Sequence, residues 1–569
     1  MGALLAGRDV MTGEDAGRAG TSRERRRAEI LSGVRQVLSE GGDIALIRES
    51  LLALAAAGGG DTATGSGLDH YARFFLAGGH PELQEAAAIA LGVEGEAASV
   101  PLLRALLDNA EDGWKLANAP AVPVRLRAFA AFALGLIGER TANQELRLSV
   151  VHSLLAALGN ERTATREIQV ACVLAAGLVD LEFCDTDPAR LARHKMEGDR
   201  HLCGGILLRY LLDVFRDHEL DPWVRAHAAP AMGRLGRSAP LDFRRAVLEE
   251  LGGALASRSG EPDFVRQGAV LGLGLFADGD DEEIDAAARF ALTSTLKQGD
   301  PLSQRFALIA LARAVARPGG SAGTERSLVA AEKLLLGELA RGRKDRRSWA
   351  ALALGVLGHA RIAARAPIPA DIAAALRHSL GRAKGPPEAA AAALGLGILR
   401  DPAAAETILA AFERIEDPLF RACAALALGL VQAREGAAVV RAAFLGEECD
   451  VRALRPDVAL GLRLLGDREA TGAALARLKA SEDPAERAAL AGFLAALADP
   501  GAAGPLLALA TDPAEKAPVR AAAIRGLGRL ADPRTLPWSA AYAVDLQYEL
   551  LTWTLASPFG DGTGLLDWR

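Results

Sequence analysis

The chain has 569 residues, a net charge of −7 and five cysteines. A chain of that length is too long to form one compact core. Its net charge gives no reason to expect nucleic acid or an anionic membrane as a partner. The odd number of cysteines disfavours a disulfide framework. Neither a convincing signal peptide nor an uninterrupted 18-residue apolar run is present, so we expect a cytoplasmic protein without a membrane span.

The first 67 residues are predicted to contain one helix pair. Residues 1–22 are small, polar and glycine-rich, and we expect them to be disordered. Residues 23–57 hold two helical segments, at 22–40 and 44–57, which form a pair that could serve as an N-terminal cap. The glycine-rich stretch 58–67 is predicted to be a flexible linker.

Residues 68–535 repeat one helical pattern. A small residue interrupts a helix rich in alanine and leucine, as in AALALGL at 424–430, and it recurs every 32 to 56 residues. A glycine inside a helix costs about 1 kcal/mol relative to alanine, so its recurrence in one register indicates that two helix backbones approach closely there. Arg463 is the single large residue in the series. The twelve marker positions are Gly92, Gly135, Gly177, Gly233, Gly274, Ala312, Gly355, Gly397, Gly429, Arg463, Ala495 and Gly528.

Each period has room for two helices, and the period changes along the chain. It is mostly about 42 residues in 68–400 and about 33 residues in 401–535, so we expect a change of curvature near Gly397. Asp-Pro occurs nine times between helical segments. Aspartate accepts hydrogen bonds from the free N–H groups of a helix start, and proline is tolerated at the first helical position.

Three of these segments, at 221–236, 417–430 and 517–533, resemble HEAT repeats, and the short units of 401–535 resemble the HEAT-like variety named after phycobilisome lyases. The resemblance implies an all-α fold, an armadillo-type α-solenoid of about twelve antiparallel helix pairs. It also implies that the Asp and Arg of the D-P-x-V-R pattern form a structural ladder between repeats. By that resemblance the ladder residues are Asp221, Arg225, Arg266, Arg305, Asp417, Arg421, Asp450, Arg452, Asp483, Arg487 and Arg520.

An insertion in the longest repeat unit contains a weak candidate for a metal site. Cys184, His194, His201 and Cys203 lie within twenty residues, and cysteine with histidine is a common zinc ligand set. Their spacing matches no familiar zinc motif, so a plain loop is favoured and no cofactor is expected.

Three other motifs are better explained without chemistry. The single His-Glu pair, at 218–219, is too few for the di-iron hydroxylases among HEAT-repeat proteins, which use several. The GGSAG stretch at 319–323 follows a helical run and not the strand that a nucleophile elbow requires. The acidic stretch 277–287 lacks the glycine and glutamate of an EF-hand, and its acids are expected to cap the next helix.

Two basic clusters and an aromatic C-terminus remain. The clusters are RERRR at 23–27 and RGRKDRR at 341–347, which are far apart in the sequence. Residues 536–569 contain three of the six tryptophans and two of the four tyrosines. We expect them to form a cap over the last repeat, with a partner-binding segment as the alternative.

The sequence therefore predicts a non-enzymatic scaffold that binds other proteins along a helix stack. In HEAT repeats the second helix of each pair lines the concave face, which places Trp223, His227, Arg234 and Trp349 as partner-binding candidates. A cofactor-attaching or protein-modifying enzyme of the HEAT-like lyase type is one alternative, and a nucleic-acid-binding protein is a second, weaker one. Partner identity and oligomeric state are left open.

Overall fold

A computed structural model describes residues 13–58, 67–159, 165–183, 202–256, 258–363, 369–446, 454–531, 547–557 and 563–567. Within these ranges the regular secondary structure is helical and no strand occurs, which confirms the predicted all-α class. No helix in the described ranges combines the length and the apolarity needed to cross a bilayer.

The described helices are numbered in chain order. They are α1 (Gly13–Glu40), α2 (Ile44–Ala56), α3 (Leu68–Ala77), α4 (Pro81–Glu94), α5 (Val100–Leu107), α6 (Glu111–Ala117), α7 (Val124–Arg140), α8 (Gln144–Leu158), α9 (Arg166–Ala176), α10 (Gly204–Arg216), α11 (Pro222–Gly236), α12 (Leu241–Ala254), α13 (Asp263–Phe276), α14 (Glu283–Gln298), α15 (Pro301–Ala316), α16 (Thr324–Arg341), α17 (Lys344–Ala363), α18 (Ala370–Arg382), α19 (Pro386–Leu399), α20 (Ala405–Arg414), α21 (Pro418–Leu430), α22 (Ala437–Leu445), α23 (Pro456–Leu465), α24 (Ala470–Ala480), α25 (Pro484–Leu497), α26 (Ala503–Thr511) and α27 (Ala517–Ala531).

The chain forms two compact units, and one of them is discontinuous in sequence. Unit 1 comprises Met1–Phe243 and Ala498–Arg569, and unit 2 comprises Arg244–Leu497. The change of repeat length near residue 400 therefore falls inside unit 2. In both units successive helices form pairs, and the second helices of neighbouring pairs pack side by side. Their order is α27, α2, α4, α7, α9 and α11 in unit 1, and α13, α15, α17, α19, α21, α23 and α25 in unit 2.

Small residues at the marker positions allow these second helices to touch backbone to backbone. A Cβ added to Gly135 would lie 2.7 Å from the Cα of Ala175, and one added to Gly429 would lie 2.6 Å from the carbonyl oxygen of Gly461. In each case the contacted residue stands two positions before the marker of the next repeat. The same offset holds for Gly92, Gly177, Gly274, Gly355 and Gly397. The predicted register is thus the packing register, and close approach compensates for the low helix propensity of glycine.

The N-terminal helix pair is a full member of this stack. A Cβ added to Gly528 of α27 would lie 2.9 Å from the Cα of Ala53 in α2, so α2 takes the place of the next repeat after the last one. Its other side packs against α4. Residues 23–57 therefore do not form a terminal cap, because the face that a cap would leave open is covered by α27. Helix α1 also begins at Gly13, inside the stretch predicted to be disordered, since alanine, glutamate and arginine there favour a helix.

The C-terminal segment lies on α7 and α9, as its hydrogen bonds show. The Arg125 guanidinium in the first turn of α7 donates to the carbonyl oxygens of Trp553 (2.7 Å) and Thr563 (2.8 Å). Glu167 in the first turn of α9 accepts from the backbone N–H of Thr554 (3.1 Å) and from its hydroxyl (2.8 Å). The predicted cap over α27 is not observed for the described part of this segment, because α2 already covers α27. Most of the predicted linker 58–67 lies outside the described residues.

Candidate functional site

A cavity of about 610 Å³ lies beside the C-terminal half of α16 in unit 2. We call it the α16 cavity. Its lining combines small and apolar side chains with four cations and one carboxylate: Ala330, Lys333, Leu334, Gly337, Glu338, Arg341, Gly342, Arg343 and Arg346. The second basic cluster of the sequence therefore forms part of a concave surface.

The cations of the α16 cavity have two different roles. Lys333 and Arg341 are exposed and have no ion pair or side-chain hydrogen bond among the described residues. Arg343 is 70% exposed and has only a loose ion pair, 3.7 Å from Asp345. Arg346, in contrast, is mostly buried, lies 2.6 Å from Glu338 and donates to the carbonyl oxygen of Leu296 at 3.3 Å. Arg346 therefore stabilises the wall of the cavity. Lys333, Arg341 and Arg343 are available to bind an anion.

Lys333 was missed by the sequence analysis, although a helical period could have found it. Lys333 precedes Arg341 by eight residues and Gly337 by four, so all three share one face of α16. The sequence shows the basic run at 341–347 as a linear cluster. Helix periodicity adds Lys333, two turns earlier on α16, to the same basic surface.

His227 is not a surface residue. It is 1% exposed, and its Nδ1 donates to the carbonyl oxygen of Trp223 at 2.8 Å. The prediction that His227 contacts a partner is wrong, because the second helices are surrounded by protein on most sides. Trp223 is half-buried beneath the Arg166 guanidinium, which lies 4.4 Å from its ring centre. Trp349 is half-buried beside Phe306, and Arg234 is half-buried, so these three stay predictions.

Burial gives His227 an effect on the pH dependence of stability. Desolvation lowers the pKa of its imidazole below 6.5 in the folded chain, so acid protonates the unfolded chain first and the stability of unit 1 falls below about pH 6.5. We expect His227→Leu to reduce the stability lost between pH 7.5 and pH 5.5 by about 1 kcal/mol. Urea unfolding of the intact chain at both pH values measures this change. His70→Leu, on the exposed face of α3, is the control, and an equal change in that variant would contradict the assignment.

The D-P-x-V-R arginines bind within their own repeat. Arg225 donates to the carbonyl oxygen of Phe215 (2.8 Å), Arg487 to that of Leu478 (2.9 Å), and Arg520 to that of Ala510 (2.9 Å). In each pair the second helix is thereby fastened to the end of the first. These bonds join the two helices of one repeat, because carbonyl groups left free at the end of a helix lie close to the arginine. Arg520 also pairs with Glu40 of α1, in the next repeat of the stack, at 3.4 Å, and the ladder between repeats stays a prediction.

The remaining ladder positions make local contacts, and Asp221 also lies 3.8 Å from Arg166 of the preceding repeat. Asp221, Asp417 and Asp483 each accept a hydrogen bond from a backbone N–H in the first turn of the following helix, as predicted for Asp-Pro. Arg266 pairs with Asp263, Arg305 donates to the carbonyl oxygen of Pro301, and the Arg421 guanidinium lies 5.6 Å from the ring centre of Phe412. Asp450 and Arg452 lie outside the described residues.

Polar contacts between repeats also use residues outside the predicted ladder. Arg125 and Glu85 form a two-pronged ion pair between α7 and α4, with both N–O distances 2.9 Å. Gln267 donates to Asp300, which caps α15, at 3.0 Å. A link between second helices thus exists, and its residue types vary from repeat to repeat. Asp-Pro aspartates take part in it at Asp300 and at Asp221, which lies 3.8 Å from Arg166.

The weak zinc candidate is not supported at its one described member. Cys203 is buried and disulfide-bonded, so its sulfur is not the thiolate that zinc requires. Cys184, His194 and His201 lie outside the described residues.

The acidic stretch joins two loops of unit 2. Carboxylate oxygens of Asp280, Glu282 and Asp285 lie within 4.8 Å of one another. Asp280 accepts from the backbone N–H groups of Glu282 (3.0 Å) and Ser321 (2.9 Å), and Asp285 is 2.6 Å from Arg244. A Cβ at Gly319 or Gly323 would overlap an aspartate side chain. The GGSAG loop therefore packs against the aspartates of this acidic stretch. The His-Glu pair at 218–219 lies in a turn between helices.

Comparison with known proteins supports the repeat assignment. Residues 458–547 match the family described as HEAT repeats. No curated protein was found to be similar to this sequence. The resemblance of 401–535 to phycobilisome-lyase units stays a prediction.

The solved structures found to be similar share little sequence with this chain. A crystal structure of importin beta in a polyethylene glycol condition is 15% identical, covers 94% of this chain and 80% of its own, and has a TM-score of 0.30. Yeast importin-beta (Kap95p) is 14% identical over 83% of this chain and 62% of its own, with a TM-score of 0.39. Human deoxyhypusine hydroxylase in complex with glycerol is 18% identical, covers 59% of this chain and 97% of its own, and has a TM-score of 0.21.

The family match covers one part of the array, and helix pairs in the same packing register precede it in the sequence. Residues 458–547 therefore match HEAT repeats, and the rest of the described array is built of similar helix pairs.

Proposed function

We propose that this chain is a scaffold that binds other proteins on the surface of its helix stack and catalyses no reaction of its own. The observation that carries the proposal is the exposure of large apolar side chains on the first helices of two successive repeats. Phe290 of α14 is 74% exposed and Val329 of α16 is 53% exposed. Aromatic side chains held on a rigid element are favoured anchors of protein interfaces.

The architecture supports the same proposal. Each repeat contacts its neighbours, so the first helices display side chains at intervals along an extended surface. A partner bound there gains many modest contacts from a surface that is already ordered, and it therefore loses little conformational entropy. Phe290 and Val329 are the anchors that this surface offers in unit 2.

Photo-crosslinking in extract from the native source tests the proposal. The full chain is made with the photoreactive residue benzoylphenylalanine in place of Phe290 or Val329. We expect both positions to crosslink the same protein. Excess unlabelled wild-type chain is expected to compete for that protein, and the Phe290→Glu, Val329→Glu double variant is expected not to compete.

Three outcomes would overturn the scaffold proposal. One is a crosslinked product that the unlabelled wild-type chain and the unlabelled double variant suppress equally. Another is a nuclease-sensitive product, which would favour the nucleic-acid alternative. A third is transfer of a chromophore or another covalent group to the captured protein, which would favour the lyase-type alternative.

A further inference from the structure

We propose that the α16 cavity binds an acidic segment of a partner protein, with carboxylates held by Lys333, Arg341 and Arg343. This inference rests on the proposed scaffold function and specifies the chemistry of one partner segment. It concerns residues that lie within a single repeat of unit 2.

The charge of the cavity points to an anion. Its lining carries four cations and one carboxylate, and that carboxylate, Glu338, is already paired with Arg346. Three cations therefore face the cavity without a strong partner. Mutual repulsion of like charges in one concavity disfavours the empty state, and an incoming carboxylate relieves it. Arginine also offers carboxylates a planar two-pronged contact.

The floor of the cavity points to a peptide as the carrier of that charge. Ala330, Leu334 and Gly337 form a small and apolar strip between the cations. Val329, one turn before Lys333 on α16, lies at the edge of this strip and is 53% exposed. A segment that alternates acidic and apolar side chains would satisfy the cations and cover this strip. A free phosphate would leave the strip in contact with water.

Nucleic acid fits the surroundings less well. A strand of phosphates requires a row of cations, whereas the N-terminal half of α16 carries Glu325 and Glu332, which pair with Arg361 at 2.6 and 3.6 Å. Arg326, on the exposed face of the N-terminal half of α16, forms an ion pair with Asp281 at 2.9 Å. Within α16 and the turn after it, the cations without a strong partner lie in the C-terminal half and the turn, a length that suits a short peptide.

The test is binding of a fluorescein-labelled ten-residue peptide of alternating glutamate and leucine to the full chain, followed by fluorescence anisotropy. We expect the triple variant Lys333→Glu, Arg341→Glu, Arg343→Glu to bind on the order of tenfold or more weakly than wild type. The matched control is Arg23→Glu, Arg25→Glu, Arg26→Glu, which changes the net charge equally in the other basic cluster and is expected to bind as wild type. Affinity should also fall with added salt, because exposed charges are screened.

A single variant keeps the test decisive if the triple variant unfolds. Lys333→Glu changes one exposed residue and is expected to weaken binding about threefold. Equal binding by wild type and both cavity variants would overturn the proposal. Displacement of the peptide by equimolar pyrophosphate would assign the cavity to small anions, and preference for single-stranded DNA would assign it to nucleic acid; either result overturns it. Failure here with a protein still captured through Phe290 and Val329 would leave the scaffold function intact.

Discussion

Replacing Gly429 with alanine is expected to destabilise the packing of α21 against α23 by about 2 kcal/mol, although alanine is the better helix former. The added Cβ would lie 2.6 Å from the carbonyl oxygen of Gly461 and 3.0 Å from its Cα. Both atoms belong to the backbone, so the clash cannot be relieved by a side-chain rotation. Hydrogen–deuterium exchange of the intact chain, followed in peptides from α21 and α23, measures the effect.

The control for this substitution is Gly492→Ala in α25 of the same unit. A Cβ at Gly492 would have no atom within 4 Å, so only the gain in helix propensity remains. We expect slower exchange in α25 and a gain of about 0.5 to 1 kcal/mol. If alanine stabilised both helices, the marker glycines would not be needed for close approach, and the packing register derived from them would lose its physical basis.

The repeat register was predictable because the signal that sets it is local. A marker glycine contacts a small residue at a fixed position of the next repeat, so the same constraint appears in the sequence once per period. Asp-Pro caps are equally local, since Asp221 and Asp483 bond to N–H groups only two residues away. Interactions of this kind leave a periodic trace that one sequence is sufficient to show.

The contact between α27 and α2 left no such trace. Ala53 lies two positions before Ala55, so α2 carries alanine where most other repeats carry glycine, and the glycine-rich stretch separates its helices from the rest of the array in the sequence. Nothing local indicates that Gly528 meets Ala53. Periodicity describes what each repeat offers its neighbours, but it does not specify which repeat is the neighbour of the first one.

The candidate sites also divide into features that a local sequence pattern reveals and features that depend on contacts between distant residues. The cations at 341–347 were recognised as a cluster, but the cavity depends on which of them already have partners, and Arg346 is bonded to Leu296 fifty residues earlier. His227 was placed on the surface because a helix that is apolar all round has no exposed stripe that a period could reveal. Burial at such positions is decided by neighbouring repeats.

The contact between the chain ends predicts a second large effect. Arg525→Ala is expected to destabilise unit 1 by about 2 to 3 kcal/mol. Arg525 of α27 donates to both carboxylate oxygens of Glu49 in α2, at 2.7 and 3.0 Å, and Glu49 is only 3% exposed. Removal of the guanidinium leaves a buried carboxylate that keeps only a longer ion pair, 3.3 Å from Arg48, and a weaker interaction with Arg529. Hydrogen–deuterium exchange should therefore rise in α2 as well as in α27, although Glu49 and Arg525 are 476 residues apart in sequence.

The exposed ion pair between Arg25 and Glu29 provides the control for Arg525→Ala. Its side chains are 84% and 56% exposed, so Arg25→Ala is expected to cost less than about 0.5 kcal/mol. A double-mutant cycle with Glu49→Gln and Arg525→Gln separates the pair from other effects, because the second substitution should cost less once the first has removed the buried charge. Faster exchange confined to α27 would mean that α2 is stable without the last repeat. The N-terminal pair would then behave as the terminal cap that its sequence suggested, and the stack of unit 1 would not depend on both ends of the chain.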